Sequence, residues 1–284
     1  MTATDAVAVP AARTPVSGNS FAWALANIAT ITWRNLMAIV RIPELLFFST
    51  LQPIMFVLLF RYVFAGAIGP VHTYANGEIH TYSYVNYLMP GIFVQTVCFG
   101  AVSTAIGLAD DLQKGLIERF RALPMSRTAV LAGRTVADLC RNIFVIFVMT
   151  VVGLLVGFRP SGGPAAYLLG CVVMLVFGFA LSWGFAYIGL AAPSTETAQV
   201  MAFPILFPLT FVSSCFVNPK TMPSWLQGFA TYQPVSQVAN AVRGLMINFV
   251  PTLHDFQSLW ALGITLVILA ILAPLAVRKF RNAI

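Results

Sequence analysis

The chain has 284 residues, of which 59% are hydrophobic and only 9% are charged. Soluble domains carry about 25% charged residues, so this composition excludes an ordinary soluble enzyme. It also excludes disorder over most of the chain, because disorder requires low hydrophobicity. The 16 Lys and Arg residues exceed the 9 Asp and Glu residues, which gives a net charge of +7. We interpret this excess as the basic residues that orient membrane spans rather than as a nucleic-acid surface.

Two segments precede the first predicted membrane span. Residues 1–18 are rich in Ala, Pro and Thr and lack the apolar run of a signal peptide, so they are predicted to be a disordered tail. Residues 19–42 place Asn27, Thr30 and Arg34 on one side of a helical wheel and apolar residues on the other. This pattern predicts an amphipathic helix in the membrane interface. Together with the rest of the chain, the helix belongs to one predicted transmembrane domain, residues 19–284.

Six apolar segments are long enough to cross a bilayer as helices, which takes about 20 residues each. They cover approximately residues 44–65, 86–109, 132–157, 165–192, 198–217 and 257–277. The first two are joined by a predicted polar loop at 66–85. Residues 218–256 contain two shorter apolar runs broken by Pro or Gly, which we interpret as re-entrant or interfacial helices. The predicted fold class is therefore all-α, in a polytopic membrane protein.

Lys and Arg residues are distributed unequally between the two sides of these spans. Twelve of the sixteen fall on the side that holds the N-terminal tail, the 110–134 segment and the C terminus. Four fall on the other side, namely Arg61, Arg159, Lys220 and Arg243. The positive-inside rule makes the first side cytoplasmic. We therefore expect a multi-pass protein of the cell membrane with both termini in the cytoplasm.

The sequence contains no pattern typical of a catalytic or metal site. A P-loop requires a Gly-Lys pair, and none of the three Lys residues follows a Gly. The three His residues lack the H-E-x-x-H spacing of metalloproteases and fall outside the predicted spans, which also argues against an intramembrane serine protease. We predict no catalytic residue, no metal site and no cofactor bound by this chain.

The charged segment 110–127 separates the second and third spans. Leu116, Phe120 and Leu123 follow helical spacing and form one apolar face, and Pro124 ends the helix. Either the segment is a loop whose basic residues only set the topology, or it is a cytoplasmic helix that docks into a partner's groove. The second interpretation assigns docking to Leu116, Glu118, Arg119, Phe120, Arg121, Leu123, Pro124 and Arg127.

Charged and aromatic residues inside the spans also allow two interpretations each. Arg134, Asp138 and Arg141 fall within about 60° of each other on a helix. They form either a paired cluster that stabilises and orients the third span or a relay between the 110–127 helix and the bundle. The 23 Phe residues are either lipid-facing filler or rings that stack on a substrate.

Two stretches resemble a known family of membrane proteins. Residues 89–127, MPGIFVQTVCFGAVSTAIGLADDLQKGLIERFRALPMSR, resemble the hallmark region of type-2 ABC transporter permeases, in particular the daunorubicin- and doxorubicin-resistance exporters. Residues 232–245, YQPVSQVANAVRGL, are similar to the family's stretch before the last span, with Gln233 where Asn is usual. The family-motif positions are Pro90, Gly91, Asp111, Gly115, Pro234 and Arg243.

The resemblance implies a fold, partners and a function. The implied fold has an amphipathic helix, six spans, a cytoplasmic coupling helix between spans two and three, and a re-entrant pair before span six. The implied partners are a second permease, as a homodimer or heterodimer, two ATP-binding subunits that hold ATP and Mg²⁺, and the lipid bilayer. The implied function is ATP-driven export of a drug-like, hydrophobic or amphipathic compound. Export of a polysaccharide or lipid-linked glycan remains open, as does a membrane-embedded enzyme of lipid metabolism.

Overall fold

The computed structural model describes residues 20–75, 78–116, 127–249 and 257–282. The helices are, in chain order, α1 (Ser20–Arg41), α2 (Pro43–Leu58), a π-helical turn (Leu59–Phe64), α3 (Ala65–Ile68), α4 (Tyr84–Gln113), α5 (Arg127–Val156), α6 (Gly163–Ala191), α7 (Thr195–Phe211), a 3-10 turn (Pro219–Thr221), α8 (Ser224–Tyr232), α9 (Pro234–Ile247) and α10 (Gln257–Asn282). Two strands, β1 (Val71–Ala75) and β2 (Glu78–Tyr82), pair antiparallel between α3 and α4. The fold is thus a helical bundle with one hairpin.

Five helices within the described ranges are long and apolar enough to span a membrane, so the chain is a polytopic membrane protein. They are Leu46–Ile68, Tyr84–Gln113, Ala129–Val156, Gly163–Ala191 and Trp260–Phe280. The span expected at 198–217 corresponds to α7, which has only 17 residues and ends at Phe211. The count of six spans therefore stays a prediction. Helices α8 and α9 form where the two short apolar runs occur, and their re-entrant position in a membrane also stays a prediction.

The polar loop expected at 66–85 contains the β1–β2 hairpin. Val71 pairs with Tyr82, and Thr73 pairs with His80. β-Branched and aromatic residues favour strands, and both strands contain several of them, namely Val71, Thr73 and Tyr74, and Ile79, Thr81 and Tyr82. This enrichment could have predicted strands where we expected a loop. The Tyr82 ring packs 5.0 Å from the Phe249 ring, measured between centroids. The hairpin therefore lies over the end of the bundle where α4 begins and α9 ends.

Helix α4 is the centre of the bundle, and its side chains form the main core with those of α5, α6, α7 and α9. The approach of α6 to α4 is close because Gly178 faces Val97, and a Cβ at Gly178 would overlap the Val97 side chain. Small residues allow close helix packing inside membranes, where the hydrophobic effect does not drive helices together.

Helix α1 and the end of α10 both pack near the end of α4 and the start of α5. The predicted amphipathic helix is α1, and it packs along α5, with Thr32 Oγ1 donating to the Gly133 carbonyl at 3.1 Å. Phe280, near the end of α10, packs in one cluster with Leu108 of α4 and Leu131 of α5. This end of the bundle therefore gathers α1, the end of α10 and the two helices that flank the 117–126 linker.

Candidate functional site

Five charged residues from three helices form one connected cluster, which we name the charge ladder. Asp111 of α4 lies 3.5 Å from Arg34 of α1 and 3.5 Å from Arg134 of α5. Asp138 lies 3.8 Å from Arg134 and 3.5 Å from Arg141. The spacing i, i+4, i+7 explains why the three α5 residues share one helix face. The structure adds Arg34 and Asp111, which sequence reasoning did not connect to them.

The ladder also holds α4 against α5 through hydrogen bonds. Asp138 is only 3% exposed and accepts a hydrogen bond from Thr104 Oγ1 at 2.6 Å. Arg141 Nη2 donates to the Gly100 carbonyl at 2.8 Å. A buried carboxylate is tolerated where it is paired with charges and hydrogen-bonded. The polar contacts from Gly100 to Asp111 therefore join α4 to α5 over about three helical turns.

The ladder lies at the helix ends that flank, in sequence, the segment predicted to form the coupling helix. Asp111 is followed by Gly115, whose φ of +63° lies in the left-handed region that favours glycine, and Leu116 is the last described residue before Arg127. The other predicted docking residues lie outside the described residues, namely Glu118, Arg119, Phe120, Arg121, Leu123 and Pro124. Their docking role stays a prediction.

A second buried polar cluster surrounds Arg243 at the opposite end of α4. Nε donates to the Tyr87 carbonyl at 2.8 Å, and Nη1 donates to Ser214 Oγ at 3.2 Å and Asn240 Oδ1 at 2.9 Å. Nη2 donates to the carbonyls of Ser214 at 2.6 Å and Cys215 at 2.8 Å. A guanidinium has five N–H donors, and all five are used here. The cluster therefore joins α4, α9 and the chain that follows α7.

The family-motif residues around Arg243 have packing roles. Gly91 faces Cys215, and a Cβ at Gly91 would overlap the Cys215 carbonyl oxygen that Arg243 also contacts. Pro90 lies buried inside α4. Pro234 lies in the first turn of α9. Backbone N–H groups in the first turn have no helical acceptor, so the missing N–H of proline costs no hydrogen bond there.

Arg243 was expected among the four basic residues of the outer side, but the structure buries it in the protein interior. A signal for this burial was present on α9. Ala239, four residues before Arg243, and Met246, three residues after it, are also buried. Arg243 therefore shares the apolar face of its helix.

Phenylalanine rings form a continuous series along α7, which we name the aromatic track. In order, its members are Phe99, Phe203, Phe207, Phe211, Phe216, Phe60 and Phe64. Neighbouring ring centroids lie 4.6 to 6.3 Å apart, which is the range of favourable aromatic pairs. The track begins at Phe99 of α4, reaches α7 at Phe203, and ends at Phe64, in the π-helical turn that follows α2. The Phe207 side chain is exposed, whereas Phe216 is buried.

Comparison with known proteins gives consistent matches over most of the chain. Residues 26–247 match the family model described as ABC-2 type transporter. The daunorubicin resistance ABC transporter permease protein DrrB1 of Streptomyces coeruleorubidus is 36% identical over 277 residues, which cover 95% of this chain and 92% of that protein. A probable doxorubicin resistance ABC transporter permease protein, DrrC of Mycobacterium tuberculosis, is 28% identical over 76% of this chain and 75% of its own length. A putative transport permease, ycf38 of Porphyra purpurea, is 25% identical over 78% of this chain and 74% of its own length.

The matched region contains both buried polar clusters. The charge ladder and Arg243 fall within residues 26–247, and the relative from Streptomyces extends the similarity to almost the whole chain. The sequence resemblance to type-2 ABC permeases is confirmed, and the chain belongs to the ABC-2 type transporter family.

Proposed function

We propose that this chain is the membrane-spanning subunit of an ATP-driven exporter that moves a drug-like, hydrophobic or amphipathic compound out of the cell. The observation that carries the proposal is the 36% identity, over 95% of the chain, to a permease named for daunorubicin resistance. The doxorubicin resistance name of a second relative supports the same class of compound.

The energy for transport comes from a separate subunit. No Gly-Lys pair is present to form a P-loop, and the relatives are named as permease proteins of ABC transporters. We expect two copies of an ATP-binding subunit, which hold ATP and Mg²⁺, beneath a dimer of permeases. This chain then contributes the path across the membrane and the surface that receives the motion of the ATPase.

The charge ladder is suited to transmit that motion. It connects the last turn of α4, just before the predicted coupling helix, to α1 and to the first half of α5. A displacement of the coupling helix would therefore move three helices together rather than one. Net pumping also requires two bundle conformations that differ in affinity for the transported compound.

The expected orientation places the charge ladder at the cytoplasmic side of the cell membrane. The excess of Lys and Arg at this end supports that orientation. The packing of α1 and of Phe280 near the linker supports placing both termini on the same side.

Co-expression with a candidate ATP-binding subunit from the same organism tests the proposal. The two proteins should purify together, and cells that produce both should accumulate less doxorubicin than cells that produce the permease with a hydrolysis-deficient ATPase. Unchanged doxorubicin accumulation in the presence of a purified, ATP-hydrolysing complex would contradict export of this class of compound.

A further inference from the structure

An open groove of about 480 Å³ lies on the surface of α7, at the end that follows the α6–α7 turn. The described residues that line it all come from the first turns of α7, namely Glu196, Gln199, Val200, Phe203, Pro204 and Phe207. Sites for drug-sized ligands have volumes of about 300–1,000 Å³. The open volume of the groove falls within this range, although one helix supplies its described walls.

The groove has a negatively charged end. Glu196 is exposed, and hydrogen bonds from its own backbone amide and from the hydroxyls of Ser194 and Thr195 hold the pKa of its carboxyl below the usual range. The carboxylate is therefore ionised at neutral pH. Of the described residues, none that lines the groove is basic, so no described lining residue neutralises this charge.

Two prolines add to the electron-rich character of the groove. Pro204 and Pro208 lie inside α7 and have no backbone N–H. The carbonyls four residues earlier, at Val200 and Pro204, therefore lack their usual helical donor, and both of these residues line the groove. Among the described lining residues, Glu196 is the charged one, and it lies at one end of the groove.

The opposite end of the groove is aromatic. Phe203 and Phe207 line it, and the Phe99 ring of α4 lies behind them at centroid distances of 6.3 and 6.0 Å. The faces of aromatic rings attract cations through their quadrupole. The groove also opens onto the first members of the aromatic track, which continues along α7 away from Glu196.

We infer that this groove binds a lipophilic aromatic cation, with the cationic group near Glu196 and the aromatic part against Phe203 and Phe207. The inference rests on the proposed export function, in which the groove is the place where the compound first meets the permease. A cation gains from both the carboxylate and the ring faces, whereas an anion of the same shape is repelled by both. A surface that only faced lipid would not require the ionised carboxylate of Glu196.

The groove also lies next to the segment that is expected to move. Gln113, the last residue of α4, donates from Nε2 to the carbonyl of Pro193 at 3.5 Å, in the turn that leads to Glu196. A shift of the end of α4 would therefore reach the groove through a single contact.

Binding of a matched pair of ions tests this inference. Tetraphenylphosphonium and tetraphenylborate have the same shape and opposite charge, so their comparison isolates electrostatics. Equilibrium dialysis against the full-length chain in lipid nanodiscs, corrected with empty nanodiscs, measures the affinity for each ion. The wild-type chain should bind the phosphonium more tightly than the borate.

Variants of the groove should reduce this preference for the phosphonium, and Glu196→Lys should reverse it. Glu196→Gln should weaken phosphonium binding roughly three- to fivefold, as expected for the loss of an exposed ion pair. Glu196→Lys should abolish phosphonium binding and improve borate binding. Phe203→Leu should weaken phosphonium binding roughly threefold through loss of the ring face.

Two variants outside the groove serve as matched controls. Glu44→Gln removes the acid in the first turn of α2, and Phe48→Leu removes an exposed ring of α2. Both should bind the two ions as the wild type does. Thermal unfolding of each variant confirms that its fold is intact.

Equal phosphonium affinity in the wild type, Glu196→Gln and Glu196→Lys would overturn the inference. The inference would also be overturned if Phe203→Leu folds normally and changes the affinity while neither Glu196 variant does. The site would then not use the carboxylate. The proposed function fails in a different way, namely when the complex exports no compound although the wild-type chain binds the phosphonium with the expected preference.

Discussion

Arg243 places its guanidinium 3.8 Å from the centroid of the Tyr87 ring and also donates from Nε to the Tyr87 backbone carbonyl at 2.8 Å. One residue of α4 therefore supplies both a ring face and a backbone acceptor to an arginine of α9. The other acceptors of Arg243 are the oxygens of Ser214, Cys215 and Asn240. All are neutral, so the buried positive charge is stabilised by dipoles and by the ring.

This arrangement predicts that Arg243 is not replaceable by lysine. A lysine has three donors in place of five and no planar fork, so at least two buried oxygens would lose their hydrogen bonds. Each such loss costs about 1–3 kcal/mol, and we expect Arg243→Lys to lower the unfolding free energy by about 2–4 kcal/mol. Unfolding in mixed detergent micelles measures the change. Arg159→Lys, at an exposed arginine near the same end, is the control and should unfold like the wild type.

Gly91 should be intolerant of even a methyl group. A Cβ at Gly91 would overlap the Cys215 carbonyl oxygen, which is backbone and cannot move without displacing an acceptor of Arg243. We expect Gly91→Ala to lower the amount of folded protein by more than fivefold, since overpacking and loss of the Arg243 contacts combine. Gly263→Ala is the matched control, because nothing lies within 4 Å of its Cβ position in α10. Fluorescence-detected size exclusion compares the two, and a normal folded peak for Gly91→Ala would contradict the packing.

The charge ladder predicts a large difference between two aspartates. Asp138→Asn removes the buried charge that Arg134 and Arg141 share, and breaking a buried ionic network costs about 3–5 kcal/mol. Asp110→Asn removes only an exposed pair with Lys114, which is worth less than about 1 kcal/mol. Unfolding of the two variants should therefore differ by about 2 kcal/mol or more. Equal stability would show that the ladder does not hold α4 to α5.

The orientation of the bundle is testable with cysteine labelling. In a background from which the four native cysteines are removed, Ile79→Cys in the hairpin and Lys114→Cys after α4 both offer exposed positions. A membrane-impermeant maleimide should label Ile79→Cys in intact cells and Lys114→Cys only after the membrane is opened. The reverse pattern would invert the topology.

The predicted coupling helix is testable through efflux. Buried aromatic anchors at interfaces cost about 2 kcal/mol or more when truncated, and rim charges cost less. Phe120→Ala should therefore reduce doxorubicin efflux and recovery of the ATP-binding subunit in a pull-down more than Arg121→Ala does, and Glu118→Lys should reduce both. Expression of the permease should be unchanged. If Phe120→Ala and Glu118→Lys both show wild-type efflux, the segment does not dock into the ATPase. It is then a loop whose basic residues only set the topology.

Helix positions were largely predictable because they depend on local composition. Runs of apolar residues long enough to span a bilayer predicted α4, α6 and α10, and helical periodicity predicted α1. The shared face of Arg134, Asp138 and Arg141 followed from spacing alone, because a regular helix leaves no freedom in that geometry. The family resemblance was also contained in the sequence, since its motifs are contiguous stretches.

The contacts between helices were decided only by tertiary structure, because spacing within a helix carries no information about its neighbours. Arg34, Asp111 and Asp138 are separated by up to a hundred residues, and only the packing of α1 and α4 on α5 brings them together. The burial of Arg243 depends on the carbonyls of Ser214 and Cys215, which become acceptors because α7 ends at Phe211. The sequence placed Arg243 in a short helix on the outer side, and only the five oxygens that accept its hydrogen bonds show that it is buried.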